Sequence, residues 1–388
     1  MKEFNLKDLE DKTIFKNIER EDIEIGEIGK KEIWLVLNNL RGMNNRYMQI
    51  LEDHFEDIRE IWTCPNSDID ALPISEKSKR EIIMNRNEDF LIDILYDINK
   101  NRANVVSIED RDYPENLRNI PDPPRILYYK GDLKYDDKNS IAVVGPRKPS
   151  TYGIYAVQKL ADELARYGIC IVSGMASGID TYAHMAAVRR NSRTIAVLGT
   201  GVDKIYPAHN RNLYWKIIGN GAVISEFPIG TQGFPYNFPK RNRIISGLSL
   251  GTLVIEAEER SGTLITCGHA LEQGREVFAV PGNINSSSSR GTNRMIKQGA
   301  KLVEGIEDIM EEILELREIK KREEKKDKRI RSLGNDENDI IDSLENGPKT
   351  IDELVESTGI GVVQMNGLIT VLELKRKIKR LQDGRLSL

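Results

Sequence analysis

The densest chemistry in the chain lies between Asn237 and Gly247, where Asn-Phe-Pro-Lys-Arg-Asn-Arg-Ile-Ile-Ser-Gly sets Lys240, Arg241 and Arg243 around the amide of Asn242. Cations this close together make a concentrated anion site. On an extended segment Arg241 and Arg243 face one side, with Lys240 and Asn242 on the other; one pair would track phosphates while the other braces the segment. The rings of Phe234, Tyr236 and Phe238 precede the cations. They could stack on nucleobases or simply pack beside the neighbouring prolines.

Four loops elsewhere share the same chemistry. Apolar runs end in Gly145-Pro-Arg147, in Ser173-Gly-Met-Ala-Ser-Gly178, in Gly199-Thr-Gly201, and in Glu256 followed by Ser261-Gly-Thr263. Glycine lets a backbone approach a ligand closely, so the amides of Gly145, Gly174 and Gly262 and the hydroxyls of Ser173, Ser261 and Thr263 are candidate phosphate donors. Arg147 adds a forked, permanently charged donor. The alternative is that glycines only shape tight strand-to-helix turns, and four such loops together with the basic strip weigh against it. Asp180 and His184 are four apart at a helix start, a spacing that suggests acid-base chemistry; Asp180 is expected instead to support its glycine loop, with His184 packed nearby. Glu256 is expected to hold an arginine or loop amides in place.

The spacing excludes familiar nucleotide enzymes. Gly199-Thr-Gly201 continues to Lys204 without completing GxGxxG, and no lysine follows a GxxxxG. Phosphates held without those fingerprints point to a sugar-phosphate backbone. Cys64, Cys170 and Cys267 form no CxxC, and His54, His184, His209 and His269 share no ligand spacing with them, so no metal, disulfide framework or cofactor is expected.

The elements that must position these loops follow from periodicity. From Ile141 to about Leu316, short apolar runs (Ile141 to Val144, Ile169 to Val172, Thr194 to Leu198, Ala222 to Ser225, Thr252 to Ile255, Glu276 to Val280) alternate with helical stretches such as Tyr152 to Tyr167 and Asp180 to Arg190. That rhythm predicts an α/β fold: a Rossmann-like, doubly wound, mostly parallel sheet over 106–316. Its ligands bind beyond the carboxyl ends of the strands. Residues 1–105 read as a small helical domain, with Ile33, Leu37, Leu40, Met48 and Leu51 at helical spacing. Within it, Leu40-Arg-Gly-Met-Asn-Asn is either a phosphate-gripping helix-hairpin-helix turn or a plain helix-helix turn. Residues 317–334 are a charged linker, with nine Lys or Arg against four Asp or Glu between Arg317 and Arg331. Residues 335–388 read as three short helices and a hairpin around Gln382-Asp-Gly384, a winged helix.

With 388 residues, a formal net charge of −4 and a pI near 5.8, the chain cannot work through a global positive field, so any nucleic-acid site must be local. The N-terminus lacks the layout of a signal peptide and no apolar run is long enough to span a bilayer, so a cytoplasmic, membrane-free protein is expected.

The span from about Arg111 to Ile309 resembles the DNA-processing family called DprA or Smf. The matching strings, in order, are Ala142-Val-Val-Gly-Pro-Arg-Lys-Pro-Ser-Thr-Tyr-Gly153, Val172 to Asp180 with Ala183-His184, Asn237 to Gly247, Ser261 to Thr266, Val280-Pro-Gly282 and Gly291-Thr-Asn293. The resemblance implies a cytoplasmic homodimer that binds single-stranded DNA on a Rossmann-like domain and helps load the RecA recombinase during natural transformation, and a family not known chiefly as enzymes. It carries the loop arginine onto Arg147 and the basic strip onto Lys240 to Arg243. Two departures stand out: the family's Gly-Ser-Arg reads Gly-Pro-Arg here, removing a hydroxyl and an amide donor at Pro146, and Ser177 stands where the family often has arginine.

Two other functions compete. Nucleotide phosphoribohydrolases share the fold and use a Gly-Gly-x-Gly-Thr-x-x-Glu loop, but here Ser261-Gly-Thr-Leu-Ile-Thr266 ends in threonine, which cannot supply that carboxylate. The winged helix could read duplex DNA through Val362 to Leu374, where only Gln364 and Asn366, then Lys375 and Arg376, reach for base edges; a protein contact is the alternative.

Overall fold

The computed structural model describes residues 19–23 and 25–388, the side chains of 324–335 excepted; the first part of the expected helical domain lies outside the described residues. The chain divides into two compact units between Leu316 and Arg317.

Among the described residues of the first unit, the α-helices ahead of the sheet are α1 (Lys30–Asn39), α2 (Asn45–His54), α3 (Asn66–Asp70), α4 (Glu76–Asn85) and α5 (Glu88–Lys100). Ile33, Leu37, Leu40, Met48 and Leu51 are all buried in one core, which also takes in Ile126 and Tyr128 of the sheet. The turn after α1 uses Gly42 at φ +88, and the Asn44 side chain then caps α2 by accepting from Tyr47 N at 3.0 Å. The turn is a capped helix-helix connection.

The sheet is built from β1 (Asn104–Ser107), β2 (Ile126–Gly131), β3 (Ser140–Val144), β4 (Cys170–Ser173), β5 (Thr194–Val197), β6 (Gly221–Ser225), β7 (Gly251–Val254), β8 (Glu276–Ala279) and β9 (Lys301–Leu302). Among the described residues its order is β1-β2-β6-β5-β4-β3-β7-β8-β9, nine strands in all. From β3 to β6 the chain winds one way; it then crosses back so that β7 pairs with the free side of β3, in parallel, with Val144 opposite Val254. This reversal is the topological switch point, where neighbouring loops diverge and leave a crevice.

The predicted strands are present to within about a residue or two. Sequence reasoning missed the edge: β2 runs antiparallel to β6, and β1 antiparallel to β2. The helix α6 (Glu115–Arg118) joins β1 to β2; the crossover helices are α7 (Thr151–Arg166), α8 (Ile179–Arg189), α9 (Arg211–Asn220), α10 (Asn237–Leu248), α11 (Thr263–Glu272) and α12 (Ser287–Lys297); α13 (Ile306–Glu312) follows β9.

The basic strip is therefore not extended. Asn237 to Leu248 is helix α10, and Pro239 sits in its first turn, where a missing N–H breaks no intrahelical bond. Positions two apart on a helix point to different sides, so the expected pairing of Arg241 with Arg243 on one face does not occur.

The second unit begins within α14 (Leu314–Glu345) and continues through α15 (Ile351–Thr358), α16 (Val362–Leu374) and a hairpin of β10 (Lys379–Arg380) and β11 (Leu386–Ser387). Ile340, Leu344, Leu354, Met365, Leu368, Ile369, Leu372 and Leu386 form its core, as the apolar spacing predicts. The expected charged linker is helical; the side chains of 324–335 lie outside the described residues.

Candidate functional site

A cleft of about 620 Å³ opens at the switch point, beyond the carboxyl ends of β3, β4 and β7. The loop after β3 contributes Gly145, Arg147 and Lys148; α10 contributes Phe238, Arg241 and Asn242; the loop into α11 contributes Ser261, Gly262 and Thr263. Nine residues from three distant segments thus meet, eight of them named from sequence. Helices α10 and α11 both open without a side-chain cap, and Phe238 and Thr263 of their first turns line the cleft.

Each arginine plays a different part. Arg147 and Lys148 are exposed, and neither has an ion-pair partner among the described residues. The Arg147 guanidinium lies 5.6 Å from the Phe238 ring centroid, which holds the side chain over the cleft. Arg241 forms the floor. It is 4% exposed and donates through Nη1 to the carbonyls of Gly174, at 2.9 Å, and Val197. It makes no ion pair among the described residues, and burial pushes its pKa down to about 10. Carbonyl oxygens satisfy its Nη1, and the buried carboxyl of Asp180 acts on its charge, so the floor holds a fixed cation beside an acid.

Arg243 leaves the site. Its Nε donates to Asp122 at 3.0 Å and its Nη2 to Glu226 at 2.6 Å, and the side chain is 10% exposed. Two carboxylates neutralise it, which corrects its reading as a phosphate-facing cation. Ser173 is corrected in the same way: it is fully buried, and its hydroxyl donates to Val143 O at 2.6 Å between two strands. Lys240 is exposed outside the cleft lining, 5.7 Å from the Tyr236 ring.

The glycines have two distinct reasons. At Gly174 a Cβ would lie 2.5 Å from the Arg241 guanidinium, so only glycine lets the floor arginine pass; Gly174 lines a hollow of about 50 Å³ against Arg147 and Phe238. Gly178 has φ +81 and would place a Cβ 2.4 Å from Pro146 O. At Gly262 an added Cβ meets nothing within 4 Å, so this glycine faces open space. The neighbouring Ser261 hydroxyl is a buried atom with no protein partner.

The acidic residues brace the site, as expected. Asp180 accepts from Gly174 N at 3.1 Å and Ala176 N at 3.3 Å; burial raises its pKa, opposed by the charge of Arg241 and these amides. Glu256, 1% exposed, accepts from Ser150 N and Oγ and from Ser288 Oγ, so it joins two loops. Thr266, buried, lines the cleft, and its side chain there is a hydroxyl, not a carboxylate. His184 is fully buried, with Nδ1 2.7 Å from Thr194 Oγ1.

Phe238 is half-buried. Its ring touches Tyr206 at 5.3 Å between centroids, and a Cβ at Gly199 would meet it at 2.7 Å. It packs locally and carries Arg147. Sequence reasoning did not single out Lys148, although its charge beside Arg147 was a usable signal, or Tyr206, which no motif marks.

The model of DNA recombination-mediator protein A matches residues 104–314, and that of the DprA winged helix domain matches 324–384. The chain belongs to the DprA/Smf family. Protein Smf of Synechocystis is 37% identical over 275 residues, spanning 70% of this chain and 69% of its own length. Protein Smf of Escherichia coli is 38% identical over 292 residues, 73% of this chain and 75% of its own. The X-ray structure of DNA processing protein A from Streptococcus pneumoniae superimposes with a TM-score of 0.63 at 36% identity, covering 74% of this chain and 99% of that one. A DNA-processing, recombination-mediator role comes with the family.

Both departures from the DprA/Smf pattern have a structural place. The Pro146 carbonyl accepts from Ile179 N at 3.2 Å, so the loop after β3 supports the start of α8 through an acceptor that proline retains. Ser177 is 3.2 Å from His209 Nε2. In the winged helix, Gln364 donates to Asp336 and Lys375 to Glu337, while Val363 and Leu374 are 91% and 79% exposed. Its third helix thus presents apolar side chains and ties down its polar ones. Among the described residues no helix is long and apolar enough to cross a membrane, and no cluster of His, Cys, Asp or Glu could hold a metal ion.

Proposed function

We infer that the chain binds single-stranded DNA across the switch-point cleft. Arg147 and Lys148 take successive phosphates, the Ser261 hydroxyl contributes a neutral donor, the dipoles of α10 and α11 add positive potential, and Arg241 lies beneath as a fixed cation. The observation that carries this reading is the pair of exposed cations, with no ion-pair partner among the described residues, at the mouth of a cleft floored by Arg241. In an acidic chain, such a site is where a polyanion gains most. On this reading the bound strand is handed to the RecA recombinase during recombination of incoming DNA, the protein acts as a homodimer in the cytoplasm, and the cleft holds its ligand without chemistry. The winged helix serves protein contacts, since its third helix exposes valine and leucine.

The test is oligothymidine affinity against salt for the parent and for Arg147→Ala with Lys148→Ala. Losing two phosphate contacts should lower the slope of log K on log salt by about 1.4, about 0.7 per phosphate on a single strand. An unchanged slope and affinity would overturn the reading.

A further inference from the structure

Just outside the cleft the chain leaves two aromatic rings in solvent. Phe234 and Tyr236 are 46% and 61% exposed, yet their rings are parallel to within 2° with centroids 5.5 Å apart. Phe234 is the only exposed phenylalanine among the described residues. Residues alternate along this stretch: Gly233 and Pro235 line the cleft, and the two rings are absent from its lining. The stretch is held in place. Asn237, 3% exposed, donates its backbone N–H to Phe234 O at 3.0 Å and its side-chain amide to Gly199 O at 3.1 Å. Lys240, the cation of the basic strip that remains in solvent, lies 5.7 Å from the Tyr236 ring.

This arrangement differs from the inner aromatic pair. Phe238 is half-buried, packed on Tyr206 and against Gly199, and carries the Arg147 guanidinium, so its ring is already engaged, although Tyr206 itself is 45% exposed. The outer pair leaves about half of its surface in solvent, uncovered by any of the described residues of this unit. A rigid, exposed π-face beside a cation is the chemistry that accepts a nucleobase and its phosphate, whatever the base.

We propose that Phe234 and Tyr236 form a base-stacking platform on which nucleobases of a single strand continue outward from the phosphates held at Arg147, with Lys240 neutralising the phosphate there. This rests on the single-strand reading of the cleft. The platform makes affinity depend on bases as well as charge, and makes that dependence tolerant of sequence, because neither ring carries a set of hydrogen-bonding groups that reads a base edge.

The experiment compares the full chain with Tyr236→Ala and Phe234→Ala by fluorescence anisotropy, on oligothymidine of about twelve nucleotides and on an abasic chain of equal length. Each variant should bind oligothymidine about tenfold more weakly and the abasic chain as the parent does, while Tyr236→Phe retains parental affinity for both. Equal losses on both chains would show a merely structural role and overturn the platform. So would parental binding of oligothymidine by both alanine variants. Arg147→Ala with Lys148→Ala, run beside them, separates the two ideas: weaker binding to both chains by that protein keeps the cleft reading standing even where the platform fails, and its unchanged binding to both sinks the cleft reading itself.

Discussion

Two arginine-bearing segments border one cleft and use their charge in opposite ways. On α10, Arg241 and Arg243 are 4% and 8% exposed and answer to the protein: one bonds carbonyls beneath the cleft, the other bridges Asp122 and Glu226. On the loop after β3, Arg147 and Lys148 are exposed and answer to no carboxylate. The segment with more cations offers fewer of them to a ligand. A cluster of positive charge in sequence therefore reports what the fold must neutralise as readily as what a ligand must meet.

The strongest way to break this comparison is Arg243→Ala. Removing it strands Glu226, whose side chain is 12% exposed, without its cation. Breaking such a buried pair costs about 3–5 kcal/mol of stability. Denaturant unfolding should show that loss, and Arg243→Lys should recover only part of it, because a single ammonium lacks the fork that reaches both carboxylates. A stable Arg243→Ala protein that lost DNA binding would reverse the assignment of the two segments.

Gly174→Ala sharpens it next. The added methyl would sit 2.5 Å from the Arg241 guanidinium and 2.8 Å from an Asp180 oxygen, with the chain hemmed in by β4 behind it. Overpacking of this kind costs about 1–3 kcal/mol. Because Arg241 must move, the floor should lose positive potential, so the variant should be both less stable and weaker on oligothymidine. Arg147→Ala, by contrast, should leave the unfolding midpoint unchanged.

Much of this could be read from the chain because the signals were local. Ile141 to Val144 ends in glycine and becomes β3; Arg147 follows at once and is exposed, as a charged loop residue should be. What could not be read depended on distant partners. Arg243 is neutralised by residues 121 and 17 positions away, and nothing in Asn237 to Gly247 announces either. Taken as extended, the segment is a helix instead: Pro239 falls in its first turn, where it is harmless, and Gly247 packs against Leu117 and Ile120 on α6 and just beyond it. The edge strand β1 has four residues, every one of them buried, so no alternation marked it, and the antiparallel direction of β2 is set by its partners β1 and β6. The Ser173 hydroxyl looked available only because the strand it caps, β3, is far away in sequence.

The smallest expected effect concerns the buried charge of Arg241, and it is read through His184. Burial first, and the charge of Arg241 second, push that imidazole from an ordinary 6.5 down to about 3. His184 is therefore neutral in the folded protein. As pH falls below 6.5, the unfolded chain takes up a proton that the folded chain refuses until about pH 3, so the stability present above that window is lost progressively through it. The slope from one such group is at most about 1.4 kcal/mol per pH unit. It is best measured from about pH 6.5 to 5, where ordinary carboxylates stay ionised. Over that range His184→Gln should flatten the curve, and the C2 proton of His184 should show no titration in the folded parent. A His184 resonance that titrated near 6.5 would mean that the imidazole meets water. The floor beneath the cleft would then be neither dry nor fixed, and the contrast between a buried, structural α10 and an open β3 loop would fail at its closest point.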